Sequence, residues 1–215
     1  MKIIGVTGGV GSGKSEVLQY MAKTYRCRIL MADEVSHEVI CAPKEGDLYE
    51  TSSVYHELVS LLETVPGDPI LREDKEIDRK EMAARIFRNP GLRQQVNDLI
   101  HPAVRQVILR EIETEKKKEE KKDKDAVSFF VLEAALLIEC GYQSIVDEMW
   151  YIYCDPRVRR NRLKAGRGYT DARIDDIMSS QLSDEAFRNG SDLVIDNSGR
   201  LEETWKQVDQ ALNKR

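Results

Sequence analysis

KIIGVTGGVGSGKS, residues Lys2–Ser15, is a short apolar run that dissolves into glycines and closes on a lysine and a hydroxyl. Lys2–Thr7 is largely apolar rather than alternating, as a strand buried on both faces would be. Gly8–Ser15 then fits G-x-x-x-x-G-K-[S/T], and Val17, Leu18, Met21 and Ala22 recur at helical spacing just behind it. Strand, glycine turn and helix in that order make a phosphate-binding loop. The glycines let successive N–H groups turn inward toward phosphate oxygens, and the helix start adds favourable potential for an anion. Gly9, Gly11, Ser12, Gly13, Lys14 and Ser15 are therefore expected to hold a nucleoside triphosphate. Lys14 should reach the β- and γ-phosphates, and the Ser15 hydroxyl should ligate Mg²⁺.

Four further β-rich apolar runs follow, at Arg28–Met31, Val127–Leu132, Met149–Cys154 and Leu193–Asp196. Helical patterns separate them, so the expected fold class is α/β, with a five-stranded, mainly parallel sheet between helices. The gap between the second and third runs is too long for a simple crossover. Residues 36–126 read instead as a helical insertion into a core made of 1–35 and 127–215. Its helices are expected at Arg79–Phe87, at Leu92–Ile100, and as a separate long helix after Pro102 bearing Val104, Val107, Ile108 and Ile112. Every residue from Glu115 to Asp125 is charged, six Lys against five acids, which reads as a solvated helix end or linker.

The 215 residues suit one domain carrying an insertion, and are enough for a real core. With 33 Lys+Arg against 38 Asp+Glu the net charge is −5, which argues against nucleic-acid binding through bulk positive charge. No apolar run approaches the roughly 18 residues of a membrane span, and the glycines arrive too soon for a signal peptide. Cys27, Cys41, Cys140 and Cys154 are scattered and form no C-x-x-C pair, and the three histidines show no ligand spacing. Reduced thiols in a cytoplasmic protein are expected.

Three features bear on what the triphosphate is used for. Asp33 follows the second strand, at the carboxyl end where α/β sheets gather their ligands, and could orient an acceptor hydroxyl or take its proton. A helix N-cap is the competing reading. Glu133 ends the third strand either as an acid that holds Mg²⁺ through water or as an ordinary strand-end carboxylate. Arg157, Arg159, Arg160, Arg162 and Arg167 cluster beyond the fourth strand, suggesting a mobile lid over about 157–185 that brings cations to a transferring phosphoryl group.

With these residues in place the chain resembles dephospho-coenzyme A kinases nearly end to end. The resemblance runs through TGGVGSGKS, Asp33, Ile77-Asp78-Arg79, the segment Arg85–Pro90, Ile100-His101-Pro102 and Ala135–Glu139. It continues through Gln181, Arg188, Ser191-Asp192 and Ile195–Gly199. It implies a P-loop kinase core, a helical acceptor-binding insertion and a small lid. The implied reaction is transfer of the ATP γ-phosphoryl to the ribose 3′-hydroxyl of dephospho-CoA, in line and without a covalent enzyme intermediate, as the last step of coenzyme A synthesis.

The site residues this implies are Asp33, Lys14 and Arg162 as catalytic groups and Arg79, His101 and Asp33 at the acceptor. Arg162 and Arg167 belong to the lid, and Asn197 and Glu16 join the nucleotide site. Glu16 stands where the family often has Thr. Arg159-Arg160-Asn161-Arg162 replaces the family's Q-x-x-R, so Arg162 carries over while the Gln contact does not. Arg167 lies one residue out of the usual lid register. The alternatives are another P-loop nucleoside or nucleotide kinase, a GTPase-like switch, for which Asp196–Gly199 fits D-x-x-G but no N-K-x-D exists, and a non-catalytic nucleotide-binding protein.

Overall fold

A computed structural model describes residues 1–43 and 49–213. The chain runs β1 (Lys2–Thr7), α1 (Lys14–Thr24), β2 (Cys27–Met31), α2 (Ala32–Glu38), α3 (Tyr49–Glu63), α4 (Arg79–Arg88) and α5 (Pro90–Glu120). It continues with β3 (Phe129–Glu133), β4 (Glu148–Tyr153), α6 (Pro156–Arg167), α7 (Asp171–Ser179), α8 (Asp184–Asn189), β5 (Leu193–Asp196) and α9 (Leu201–Asn213). Two compact units result. One holds Met1–Met31 and Glu115–Arg215, and the other holds Ala32–Thr114.

The first unit is built on a sheet of order β2-β3-β1-β4-β5 in which every pairing is parallel. The five apolar runs become its strands, two with the expected bounds and three with boundary shifts of one or two residues, and the sheet is parallel throughout. β1 lies at the centre because it is apolar on both faces. Ile4, Val6, Val17, Leu18, Met21, Trp150, Ile152, Ile195 and Val208 share one core cluster that joins β1, β4 and β5 to α1 and α9. β2 departs from the two-sided burial expected of it. As an edge strand its residues are intermediate or exposed. Strand order reverses across β1, so the loop after it sits at the crevice where open α/β sheets bind ligands.

In the second unit Asp78 caps α4 by accepting hydrogen bonds from the Lys80 and Glu81 N–H groups. Those bonds hold its carboxyl below the usual carboxylate range. Arg85 is buried and its charge is fully used. It pairs with Glu81 at 2.8 Å and donates to the Leu62 and Asp68 carbonyls, tying the loop after α3 to α4. The two helices expected on either side of Pro102 are one. α5 passes through Pro102 unbroken. A proline inside a helix removes one hydrogen bond, but Leu92, Val96, Val104, Ile108 and Ile112 supply a continuous buried stripe that outweighs the loss.

The charged stretch forms the last turns of α5 and the loop after it. Most of it is exposed, but Glu115 is buried and pairs with Lys118 at 2.8 Å. The four cysteines are free thiols. Among the described residues no helix is long and apolar enough to cross a membrane.

Candidate active site

β1 delivers the chain into the loop Gly8–Gly13, and α1 starts at Lys14. Two glycines are there for backbone reasons. Gly13 is the α1 N-cap at φ 90°, in the left-handed region, and a Cβ on it would overlap the Asn197 amide. Gly8 has φ 149°, and a Cβ would come within 2.6 Å of the Ile152 carbonyl. The loop closes on itself where Ser12 N–H donates to Gly9 O at 3.1 Å. The Ser12 hydroxyl is buried and lacks a hydrogen-bond partner among the described residues, an unmet polar group that suits a ligand-binding position.

The Lys14 ammonium donates to Gly8 O at 2.9 Å and lies 3.5 Å from a Glu133 carboxylate oxygen at the end of β3. Glu133 is 7% exposed, so its pairing with Lys14 offsets what would be a costly buried charge. Strand register explains the meeting, because Val6 of β1 stands opposite Glu133 of β3. Thr7, also buried, donates from its hydroxyl to Ala135 O at 3.3 Å and ties the loop after β3 to the P-loop base. Ser15, in the first turn of α1, and Glu133 are both hard oxygen donors, the chemistry that suits Mg²⁺. Glu16 is exposed on α1.

Asn197, fully buried at the end of β5, serves the loop from behind. Its Nδ2 donates to Ser12 O at 2.8 Å, and its Oδ1 accepts from the Thr204 hydroxyl at 2.9 Å. Arg162 of α6 donates to Asn197 O at 2.9 Å, and its other nitrogen approaches Ser12 O at 3.5 Å and the Cys154 sulfur at 3.4 Å. Desolvation pushes the Cys154 thiol up, so it presents Arg162 with a neutral sulfur. Lys14, Ser12, Asn197 and Arg162 are thus brought together at one loop. Arg167 is not in this group. It is exposed at the end of α6, with its guanidinium 6.0 Å from the Tyr169 ring.

In the second unit Asp33 is not an N-cap. It falls inside the first turn of α2, exposed, with Ser36 donating to its main-chain carbonyl at 2.8 Å. Among the described residues its carboxylate has no hydrogen-bond partner. Arg79 begins α4, exposed, and lines a cavity of about 500 Å³ with Cys41, Arg72, Glu76, Asp78 and Lys80. His101 is exposed on α5, one residue before Pro102.

Two contacts on the loop went unread in the sequence. Arg159 donates from Nε to Val10 O at 3.1 Å, and Gln181 accepts from Val10 N–H at 3.1 Å. The available signal was the spacing of Arg159, Arg162 and Leu163, which places all three on one face of α6.

A family model for dephospho-CoA kinase matches residues 2–203. The chain is 31% identical to a dephospho-CoA kinase of Shouchella clausii, over 98% of this chain and 97% of that one. It is 33% identical to one of Streptococcus pyogenes, over 98% and 96%. Among solved structures, dephospho-CoA kinase from Campylobacter jejuni superposes with a TM-score of 0.70 at 20% identity, covering 100% of this chain and 97% of that one. That last likeness speaks for the fold, and the first three extend it to the sequence along almost its whole length: the chain belongs to the dephospho-CoA kinase family.

Proposed function

We propose that this chain transfers the γ-phosphoryl group of ATP to the ribose 3′-hydroxyl of dephospho-CoA, giving coenzyme A and ADP by direct in-line displacement. The observation that carries the nucleotide half is the Gly8–Ser15 loop, with Lys14 fixed between Gly8 O and Glu133 and an unsatisfied Ser12 hydroxyl at its turn. Family membership carries the acceptor half. Phosphoryl transfer asks little covalent chemistry of a protein and much positioning and charge neutralisation. Lys14 and Arg162 supply positive charge where negative charge builds on the transferring oxygens.

Ser15, aided by Glu133, would hold a Mg²⁺, which would neutralise charge on the phosphates. Asp33 orients the acceptor hydroxyl and takes its proton. Arg79 and His101 serve the acceptor, and Arg167 belongs to the lid that shields the reaction from water. Gly9, Gly11 and Gly13 let the loop backbone turn its N–H groups toward phosphate oxygens. The chain works as a cytoplasmic enzyme on two small molecules, without a nucleic-acid or membrane partner.

The deciding experiment is ADP release with Mg-ATP and dephospho-CoA, run beside nucleosides and nucleoside monophosphates as acceptors. ADP formed with dephospho-CoA alone, together with coenzyme A as product, is the expected result. Turnover with a nucleoside in its place keeps the P-loop reading and discards the acceptor.

A further inference from the structure

The cations of α6 sort into three groups. Arg160 is tied to Asp171 at 2.8 Å and to Asp175, and Lys164 to Asp171 at 2.7 Å, so their charge is spent between α6 and α7. Arg157 and Arg167 are exposed. Arg159 and Arg162 instead turn to the P-loop, and both are held there by neutral acceptors.

Around Arg159 the bonds close into a ring. Its Nε donates to Val10 O at 3.1 Å, its Nη2 donates to Gln181 Oε1 at 2.9 Å, and the same Oε1 accepts from Val10 N–H at 3.1 Å. Both partners of that oxygen are donors, which fixes the orientation of the Gln181 amide. The guanidinium lies against Gly9, where a Cβ would overlap its Nη2 and Cζ. Four residues on, Leu163 fills the space beside Gly11, with Cγ 3.0 Å from where a Cβ would sit. One face of α6 therefore follows the loop from apex to base, with Arg159 at Gly9 and Val10, Leu163 at Gly11 and Arg162 at Ser12.

A guanidinium has five donors on a rigid fork, and this ring uses two. Among the described residues no carboxylate pairs with Arg159. An un-neutralised, partly buried cation is thereby fixed at the apex of a phosphate cradle. Were Arg159 only a latch for Val10, a neutral amide would serve that carbonyl without the cost of desolvating a charge.

We propose that Arg159 is a further nucleotide-binding residue, positioned over Gly9 and Val10 by Gln181, whose positive charge serves the triphosphate alongside Lys14 and Arg162. The resemblance places a glutamine at this position and so does not supply the contact. The inference rests on the P-loop taking ATP, as proposed above.

The test is direct titration of Mg-ATP onto the full chain without acceptor, for wild type and four variants, with thermal melting of each. Arg159→Ala removes charge and ring together. Arg159→Lys keeps the charge and loses the fork. Gln181→Glu keeps both acceptor bonds and neutralises the charge. Arg157→Gln, on the exposed side of the same helix, is the control.

The expected result is an ATP Kd about tenfold higher or more for Arg159→Ala, from loss of a charged contact. A similar loss is expected for Gln181→Glu without a fall in melting temperature, partial recovery for Arg159→Lys, and no change for Arg157→Gln. Wild-type affinity in Arg159→Ala overturns the proposal. So does wild-type affinity in Gln181→Glu, which would leave Arg159 a purely structural latch. If Arg159→Ala does not fold, Gln181→Glu decides alone. A wild type that binds ATP but does not phosphorylate dephospho-CoA overturns the acceptor reading and leaves this one standing.

Discussion

Lys14 Nζ is 2.9 Å from Gly8 O and 3.5 Å from Glu133, so one ammonium both shapes the loop and offsets a buried carboxylate. Replacing it with alanine should lower turnover by about 10²- to 10³-fold, the usual scale for deleting one preorganised charge donor. It should also lower the melting temperature, because the buried Glu133 carboxylate would lose its ammonium partner. Steady-state kinetics and a thermal melt on the same sample check both parts. Asp33 should behave differently. Its carboxylate is exposed on α2 and outside the loop, so Asp33→Asn should cut kcat by about 10²-fold or more while the ATP Kd stays at the wild-type value. Unchanged kcat would remove Asp33 from the mechanism. The placement of Lys14 and Ser15 at the start of α1, just behind the glycine turn, was legible because a spacing rule states it directly. The bonds of the Asn197 side chain to Ser12 O and to the Thr204 hydroxyl were not legible, because they join separate elements that meet only in the fold.

At the scale of elements, the sequence supports strands better than helices. Five apolar runs became five strands because burial in a parallel sheet leaves a dense local signal. The continuity of α5 through Pro102 was hidden, because the decision between one helix and two is made by the packing of Leu92 through Ile112 and not by the proline. The side contacts of α6 were hidden for the same reason: charge composition cannot say which arginine meets an acid and which meets the P-loop.

α6 ends on two glycines with opposite roles. Gly168 is the C-cap at φ 62°, whereas Gly166 lies inside the helix with open space where a Cβ would go. Gly166→Ala should therefore stabilise the chain by about 0.5–1 kcal/mol, read by denaturant unfolding. The α6–α7 contact carries a pH signature as well. Lys164 and Arg160 hold the Asp171 carboxyl below its ordinary value of 3.8. A group depressed in the folded state stabilises above its unfolded pKa and loses that contribution as pH falls through the folded value. Hydrogen-exchange protection of α7 should accordingly drop below about pH 4 in the wild type. In Asp171→Asn it should already be reduced at pH 7.

For the molecule as a whole, the relevant fact is that the chain leaves the sheet-bearing unit after Met31 and rejoins it at Glu115. The P-loop, Arg159, Arg162, Gln181 and Asn197 all belong to the first unit, and Asp33, Arg79 and His101 all belong to the second. If nucleotide and acceptor bind where these residues place them, each ligand should leave its mark on a different set of amides. Mg-ATP at about 100 times its Kd should stabilise the folded state by about 2.7 kcal/mol. For a chain of this size that is about 5–10 °C in melting temperature. The gain should shrink in Lys14→Ala. Hydrogen exchange resolves the location. Mg-ATP alone should protect amides of Gly8–Ser15 and of the segments bearing Arg162 and Asn197, while dephospho-CoA alone should protect amides within Ala32–Thr114. Protection of the first unit by dephospho-CoA alone, with none in the second, would move the acceptor site out of the helical insertion and take Arg79 and His101 with it, while leaving the P-loop assignment untouched.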